Sequence, residues 1–358
     1  MENNELVVVS AFYKIDLDSK NPNFHKAKRT IDTYLQYFSS IAGLKNKFII
    51  FCENMMIAKK ILEIRTNHNL ESKTLILLKN LESFQPNDYK KIQMCHESHY
   101  KTHESINAKY VYLMYLKSFF VLEALNYASD FIESSAGGGG NIINLDIESK
   151  KDSKNITRNI MWLDFGFNHG RTLFYRPSDL DFIMAEQIDL ISHTKMNLFI
   201  LGLDYDKMIE AGKVENDNFE VAIGGILYGS KSSWERFNIL MQESLHHFLD
   251  SNILCDDQAL QAWLISKYPQ DFNLLRIDLW FSAIFYFMPE SRRKNVLVTW
   301  NSSLQKSFKQ EKVIDAILKE KEIFNAPSKA KRLYRKLERS IKRRMKNIRI
   351  LFRNIIRI

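Results

Sequence analysis

The sequence predicts an α/β protein: a mixed, mainly parallel sheet flanked by helices, with a basic amphipathic helix at its C-terminus. Three observations predict it. Short apolar runs alternate with stretches of helical spacing from residue 5 to residue 267, the pattern of strand–helix–strand units. Apolar residues make up 45% of the 358 and charged residues 26%, with only 12 Gly and 6 Pro. That balance excludes collagen, low-complexity disorder and a disulfide miniprotein, and the chain is long enough to bury a core. The net charge of +9 is also segregated. Residues 329–358 carry 13 Lys and Arg against the single acid Glu338, a net of +12, which leaves −3 for residues 1–328.

The elements follow in order. Residues 5–13 (ELVVVSAFY) read as a buried strand, residues 24–42 as a helix ending at Gly43, and residues 47–52 (KFIIFC) as a second strand. Residues 54–67 are helical and residues 74–78 form a third strand. Residues 105–128 read as one long helix with Lys117 in its middle. Four consecutive glycines and mixed charge over residues 134–155 mark a flexible surface insertion. Residues 160–164 (IMWLD) form a strand that runs into the turn Phe165-Gly166, and residues 171–175 and 197–202 are further strands. Residues 221–228 are strand-like with a glycine pair inside. Residues 231–251 form an amphipathic helix, and residues 256–267 start another with acids in its first turn, where the helix dipole favours them.

The C-terminal helix is read from its spacing. Leu333, Leu337, Ile341, Met345, Ile348, Phe352 and Ile355 share one helical face, Pro327 suits the first turn, and Lys331, Arg332, Arg335, Arg339 and Arg343 fill the other faces. The division is residues 1–326 as the globular domain and 327–358 as this helix. A cationic amphipathic helix suits an anionic membrane surface. Docking on its own domain, or on a second copy in a homodimer, is the alternative. The apolar stripe argues against a purely electrostatic nucleic-acid arm. No run reaches the ~18 apolar residues of a membrane span, the N-terminus lacks a basic signal region, and Cys52, Cys95 and Cys255 are odd in number and far apart. The expected location is the reducing cytoplasm, peripheral on the inner membrane.

Several constellations suggest chemistry. In Trp162-Leu163-Asp164-Phe165-Gly166 a strand delivers one carboxylate to a tight turn. Ligands of open α/β sheets bind at such strand ends, and a carboxylate there suits a hard cation; capping the turn is the plainer role. In Cys255-Asp256-Asp257-Gln258, N-capping competes with acid–base work. Gly224-Gly225 inside a strand allows close approach of a ligand. His96, His99 and His103 share a helix face, but their polar surroundings favour an exposed surface over zinc. His246 and His247 read as surface. No GxGxxG, P-loop, GxSxG or kinase catalytic loop is present.

Taken in order, Ser10-Ala11-Phe12, the run from Asn107 to Phe120, Trp162-Leu-Asp-Phe-Gly166, Gly224-Gly225 and Asp257-Gln258 resemble the HtrL/YibB/WlaTC-like bacterial proteins over residues 5–300. Those proteins are similar to GT-A glycosyltransferases and lie in surface-polysaccharide and lipooligosaccharide gene contexts. The resemblance implies a GT-A, Rossmann-like fold. It implies a hexosyltransferase that uses a nucleotide-sugar donor, UDP-linked by expectation, and a lipid-linked or surface-glycan acceptor. It assigns Ala11, Phe12, Tyr13, Lys117, Asp164 and Gly166 to the donor nucleotide. Gly224, Gly225 and Gln258 would line sugar and acceptor, and Asp256 or Asp257 would act in catalysis. It assigns Mn²⁺ or Mg²⁺ to Asp164. The usual Asp-x-Asp motif has Gly166 in its third position here, so His169 or Asn168 would have to complete the cation site. A catalytically silent binding or assembly protein on the same scaffold is the alternative.

Overall fold

The computed structural model describes residues 6–15, 30–98, 107–134, 140–146, 158–169, 180–187, 189–201, 222–277 and 280–293. Among them eight strands form one sheet: Val7–Phe12 (β1), Lys47–Cys52 (β2), Thr74–Leu78 (β3), Asn141–Asn144 (β4), Ile160–Leu163 (β5), Met196–Leu201 (β6), Ala222–Gly229 (β7) and Phe272–Ile277 (β8). The order is β4-β3-β2-β1-β5-β7-β6-β8. β7 runs antiparallel to β5 and β6, and the other neighbours are parallel. Strands β1 to β3 are apolar apart from Ser10, Lys47 and Thr74 because helices cover both of their faces.

The helices are Ile31–Ile41 (α1), Met55–Thr66 (α2), Pro86–Ser98 (α3), Ala108–Tyr115 (α4), Lys117–Tyr127 (α5), Ser129–Glu133 (α6), Lys231–Asp250 (α7) and Asp257–Lys267 (α8). On one face of the sheet, Phe120 of α5 and Trp234 and Phe237 of α7 join Val7, Val9, Ile49 and Trp162 in a single core. On the other, Phe38 of α1 stacks on Phe165 at 4.5 Å and meets Phe48 edge-on at 6.3 Å. The buried Arg65 of α2 ties this layer to the sheet. Its guanidinium donates to the carbonyls of Ala42 (2.7 Å), Leu44 (2.6 Å) and Asn46 (2.9 Å) and to Thr74 Oγ1 (2.9 Å). A guanidinium with that many satisfied donors tolerates burial without a carboxylate.

The chain leaves β1 toward β2 on one side and returns as β5 on the other. This reversal of strand order opens a crevice at the carboxyl ends of β1 and β5. Because β7 is antiparallel, its beginning lies at that same edge. Leu163 pairs with Ile226, and the amide of Asp164 donates to the carbonyl of Gly225 at 2.9 Å.

Two expectations change. The helix over 105–128 is two helices, α4 and α5, separated at Leu116 (φ −74°, ψ 0°). Each buries its face against different partners: the Tyr115 hydroxyl of α4 donates to Asp88 Oδ2 of α3 at 2.8 Å, whereas α5 packs on β1 and α7. Lys117 therefore opens α5. Within the expected insertion, Asn141–Asn144 is a sheet strand paired with β3, entered through Gly140 at φ +88°, a conformation that suits glycine. Finally, His246 and His247 lie at the surface, the His246 side chain 41% exposed, but each has a partner the sequence did not suggest. His246 Nε2 lies 2.8 Å from Asp88 Oδ1, and the His247 ring stacks on Trp263 at 4.7 Å.

The segments 24–29, 147–155 and 171–175, His99, His103 and the basic helix with Lys331, Arg332, Arg335, Arg339, Arg343 and Phe352 lie outside the described residues. No helix among the described residues is long and apolar enough to cross a membrane, and all three cysteines are free.

Candidate functional site

Four elements converge at the crevice. α5 begins with Lys117, β5 ends at Asp164, β7 starts through Gly224-Gly225, and α8 carries Asp257 in its first turn. Lys117 Nζ lies 2.8 Å from Asp257 Oδ2 and 3.2 Å from Asp164 Oδ1, and donates to the Gly224 carbonyl at 2.8 Å. An ammonium has three protons, and these contacts use all three. A cation at a helix N-terminus opposes the dipole; the two carboxylates compensate. Burial works against the charge on Lys117, but Asp164 and Asp257 outweigh it and hold its pKa above the usual lysine value. Lysine and Asp257 are each 3% exposed, while the Asp164 side chain is 32% exposed.

The neighbours explain the local sequence. The indole of Trp162 donates to Asp164 Oδ1 at 2.7 Å, because residues two apart on a strand share a face. Gln261, one helical turn beyond Asp257, offers its amide at 3.4 Å to Asp257 Oδ2. A β-carbon at Gly224 would overlap Asp257 Oδ2 and lie 3.0 Å from Lys117 Nζ, so glycine is what lets the ion pair approach the strand. At Gly225 the same β-carbon would meet only ordinary contacts: Asp164 Oδ2 at 3.5 Å, the Phe167 ring at 3.6 Å and Trp280 Nε1 at 3.7 Å.

Lys117, Asp164, Asp257 and Gly224 come together as one cluster, with Gly225 beside it. Asp256 does not enter it through Oδ1, which caps α8 by accepting from the amides of Gln258 (3.1 Å) and Ala259 (3.2 Å). Gln258 follows on the same turn and is half-buried. Ala11 is partly buried on β1. The Phe12 and Tyr13 rings face inward. Phe12 stacks on Phe165 at 4.8 Å, and the Tyr13 ring lies 5.7 Å from that of Phe120, with its hydroxyl donating to the Lys79 carbonyl at 3.0 Å. Burial pushes the Tyr13 pKa well up. What β1 presents at the crevice is backbone rather than these two rings. Gly166 approaches the rings of Tyr34 and Tyr37, where a β-carbon would sit at 3.4 and 3.6 Å. His169 is exposed, its Nδ1 3.1 Å from the Gly166 carbonyl and its ring 5.3 Å from Phe281.

The donor set fits a protein-held divalent cation poorly. No group of three or more His, Cys, Asp and Glu among the described residues is placed to hold one. The Lys117 ammonium already stands between the two carboxylates, where a dication would repel it, and the open oxygen, Asp164 Oδ2, shares its space with an indole N–H donor. Sequence reasoning named the cluster but gave no role to Trp162, Gln261 or Trp280. The two-residue spacing from Trp162 to Asp164 and the four-residue spacing from Asp257 to Gln261 were readable signals; Trp280 comes from a distant part of the chain.

The model of a family described as a bacterial protein of unknown function (HtrL_YibB) matches residues 4–134 and 148–289, which include every member of the cluster. The unmatched stretch between them holds the glycine run and β4. Protein HtrL of Escherichia coli (strain K12) is 25% identical over 279 residues, covering 75% of this chain and 86% of that protein. No solved structure matches the chain significantly. With its matched residues spanning most of the sequence, the chain belongs to the HtrL_YibB family of bacterial proteins.

Proposed function

We propose that this chain is a nucleotide-sugar-dependent glycosyltransferase that moves a hexose onto a hydroxyl of a surface glycan, such as a lipopolysaccharide or lipooligosaccharide acceptor. The observation that carries the reading is the Lys117–Asp164–Asp257 cluster at the carboxyl edge of the sheet, beside the switch point between β1 and β5. The resemblance to GT-A enzymes supports the same reading, and the GT-A assignment is part of the proposal. In the reaction the bond from the anomeric carbon to the diphosphate breaks, and the diphosphate leaves with the bonding pair. The acceptor oxygen forms the new bond and gives up its proton. Asp164 is the reachable carboxylate for that proton, since its side chain is half-buried and Asp257 is enclosed. Lys117, with its protons engaged, acts as a positioning residue that holds both carboxylates in place. The C-terminal helix, in this reading, brings the globule to an anionic inner leaflet where lipid-linked acceptors lie.

A second reading, a silent binding protein on the same scaffold, draws on the same saturation of Lys117: a fully engaged ammonium leaves no proton for a leaving group. A thermal-shift panel of UDP, GDP, CMP and their common sugars, with and without Mn²⁺, separates the two. A shift with one nucleotide-sugar class, coupled to release of its nucleoside diphosphate, supports transfer. A shift without turnover supports the silent protein, and no shift in a folded sample overturns both.

A further inference from the structure

We infer that Trp162 is a positioning residue for the proposed transfer: its indole N–H pins Oδ1 of Asp164 and so makes Oδ2 the oxygen that takes the acceptor's proton. The inference rests on the glycosyltransferase reading and names the atom and the support on which that reading depends. The two oxygens of a carboxylate are equivalent until their surroundings separate them. Here both side-chain donors that reach Asp164 go to Oδ1, the Trp162 indole at 2.7 Å and the Lys117 ammonium at 3.2 Å. A carboxylate oxygen has two lone pairs, and these donors use both. Oδ2 takes no hydrogen bond from a described residue. The Asp164 side chain is 32% exposed, so an acceptor hydroxyl that reaches this carboxylate finds its unspent lone pairs on Oδ2.

Of the two donors, Trp162 is the one that decides. Lys117 divides its protons among Asp164, Asp257 and the Gly224 carbonyl, at the end of a flexible stem. The indole is fixed by the core. Trp162 is 3% exposed and pairs with Val9 of β1 and Leu227 of β7, and its ring lies 5.7 Å from that of Phe120 with 17° between their planes. The Asp164 backbone is held as well, by its amide bond to the Gly225 carbonyl at 2.9 Å. With the backbone and Oδ1 both anchored, the carboxylate does not turn its other oxygen toward the ammonium. In the transfer, the acceptor oxygen bonds to the anomeric carbon as the diphosphate leaves with the bonding pair. The hydroxyl proton passes to Oδ2, and the Asp164 carboxyl later returns it to water. A base oriented before the reaction needs no reorganisation during it. Loss of the N–H lets the carboxylate present either oxygen, which slows the chemical step and leaves substrate binding alone.

The test uses the full chain with two replacements at position 162. Trp162→Phe removes the N–H and keeps an aromatic ring. Site-directed incorporation of benzothienylalanine, which carries sulfur in place of the indole N–H, keeps the shape of the whole ring and decides the matter if the phenylalanine variant does not fold. Release of nucleoside diphosphate is followed for UDP-glucose, UDP-galactose, UDP-N-acetylglucosamine and GDP-mannose, with extracted surface glycan as acceptor. On the donor that the wild-type chain turns over, the expected kcat is lower by about tenfold or more in both variants, with KM within about twofold of wild type. Wild-type kcat in the benzothienylalanine protein would overturn the inference, since ring shape and not the donor would then matter. A raised KM with kcat unchanged would overturn it too, since Trp162 would then serve binding. Either result leaves the transferase reading intact as long as Asp164→Asn abolishes release. No release by a folded wild-type chain from any of these donors would overturn that reading and this inference with it.

Discussion

Replacing Lys117 with methionine tests the physical core of the site. Methionine keeps the length of the side chain and removes the charge. The ammonium is lost from 2.8 Å of Asp257 Oδ2, 3.2 Å of Asp164 Oδ1 and 2.8 Å of the Gly224 carbonyl. Asp164 keeps the indole of Trp162, but Asp257 is 3% exposed and loses its cation. Breaking a buried pair by removing one partner costs about 3–5 kcal/mol. At ~2 °C per kcal/mol for a domain of this size, the melting temperature falls by roughly 6–10 °C. The pH dependence has a definite sign. In the wild-type protein the Lys117 pKa is raised in the folded state. Its contribution is thus fully present below the unfolded lysine value of about 10.4 and is lost only as pH rises through the folded value. Between pH 5 and 8 it is constant. In the variant, Asp257 stays buried and loses the ammonium, and burial penalises a charged carboxylate, so the variant is expected to hold its stability better at pH 5 than at pH 8. Thermal denaturation followed by circular dichroism at pH 5 and pH 8 reads both effects. A loss under ~2 °C, or the same loss at both pH values, would refute the reasoning. Adding Asp257→Leu to Lys117→Met recovers part of the loss, since an apolar pair replaces a buried carboxylate that has lost the Lys117 ammonium.

Other outcomes follow from the same geometry. Gly224→Ala forces a methyl group into Asp257 Oδ2 and lowers stability in chemical denaturation by about 1–3 kcal/mol; stability equal to wild type would show that the ion pair shifts freely. Asp256→Ala removes the α8 cap and costs about 1 kcal/mol while leaving nucleotide-sugar turnover per folded molecule within about threefold; a collapse of turnover would restore Asp256 to the catalytic set. Removing residues 329–358 takes away a net +12 and is expected to abolish cosedimentation with anionic liposomes without changing the melting temperature; undiminished cosedimentation would place the membrane contact elsewhere.

The sequence was most informative where one physical cause dominates. Lys47–Cys52 and Thr74–Leu78 were readable to the residue because strands covered on both faces are apolar beyond their first residue here. Asp256 as a cap was readable because a carboxylate before a helical run has a local job. The break at Leu116 was not, because every residue around it is a good helix former and the cause is tertiary: α4 is tied to Asp88 while α5 follows the sheet. β4 was hidden by its four residues and by the glycine run before it. The contact of His246 with Asp88 was hidden because the two are 158 positions apart. At the site, Asp164 was readable from its place at a strand end and the role of Lys117 came through resemblance, whereas the reason for Gly224 needed three dimensions. Phe12 and Tyr13 came from the resemblance alone, and the stacking of their rings on Phe165 and Phe120 is packing that the motif does not reveal.

The most direct test of the central claim is release of nucleoside diphosphate from the nucleotide sugar that gives the largest thermal shift, comparing the wild-type chain with Asp164→Asn in the presence of extracted surface glycan. Asparagine keeps the shape and a hydrogen bond to Trp162 but cannot take a proton from the acceptor. The account predicts release by the wild-type protein and a rate at least ~100-fold lower in the variant, with both proteins folded. Equal release by the two would remove Asp164 from the chemistry, and no release by a folded wild-type chain that binds the donor would leave the crevice as a binding site without transfer.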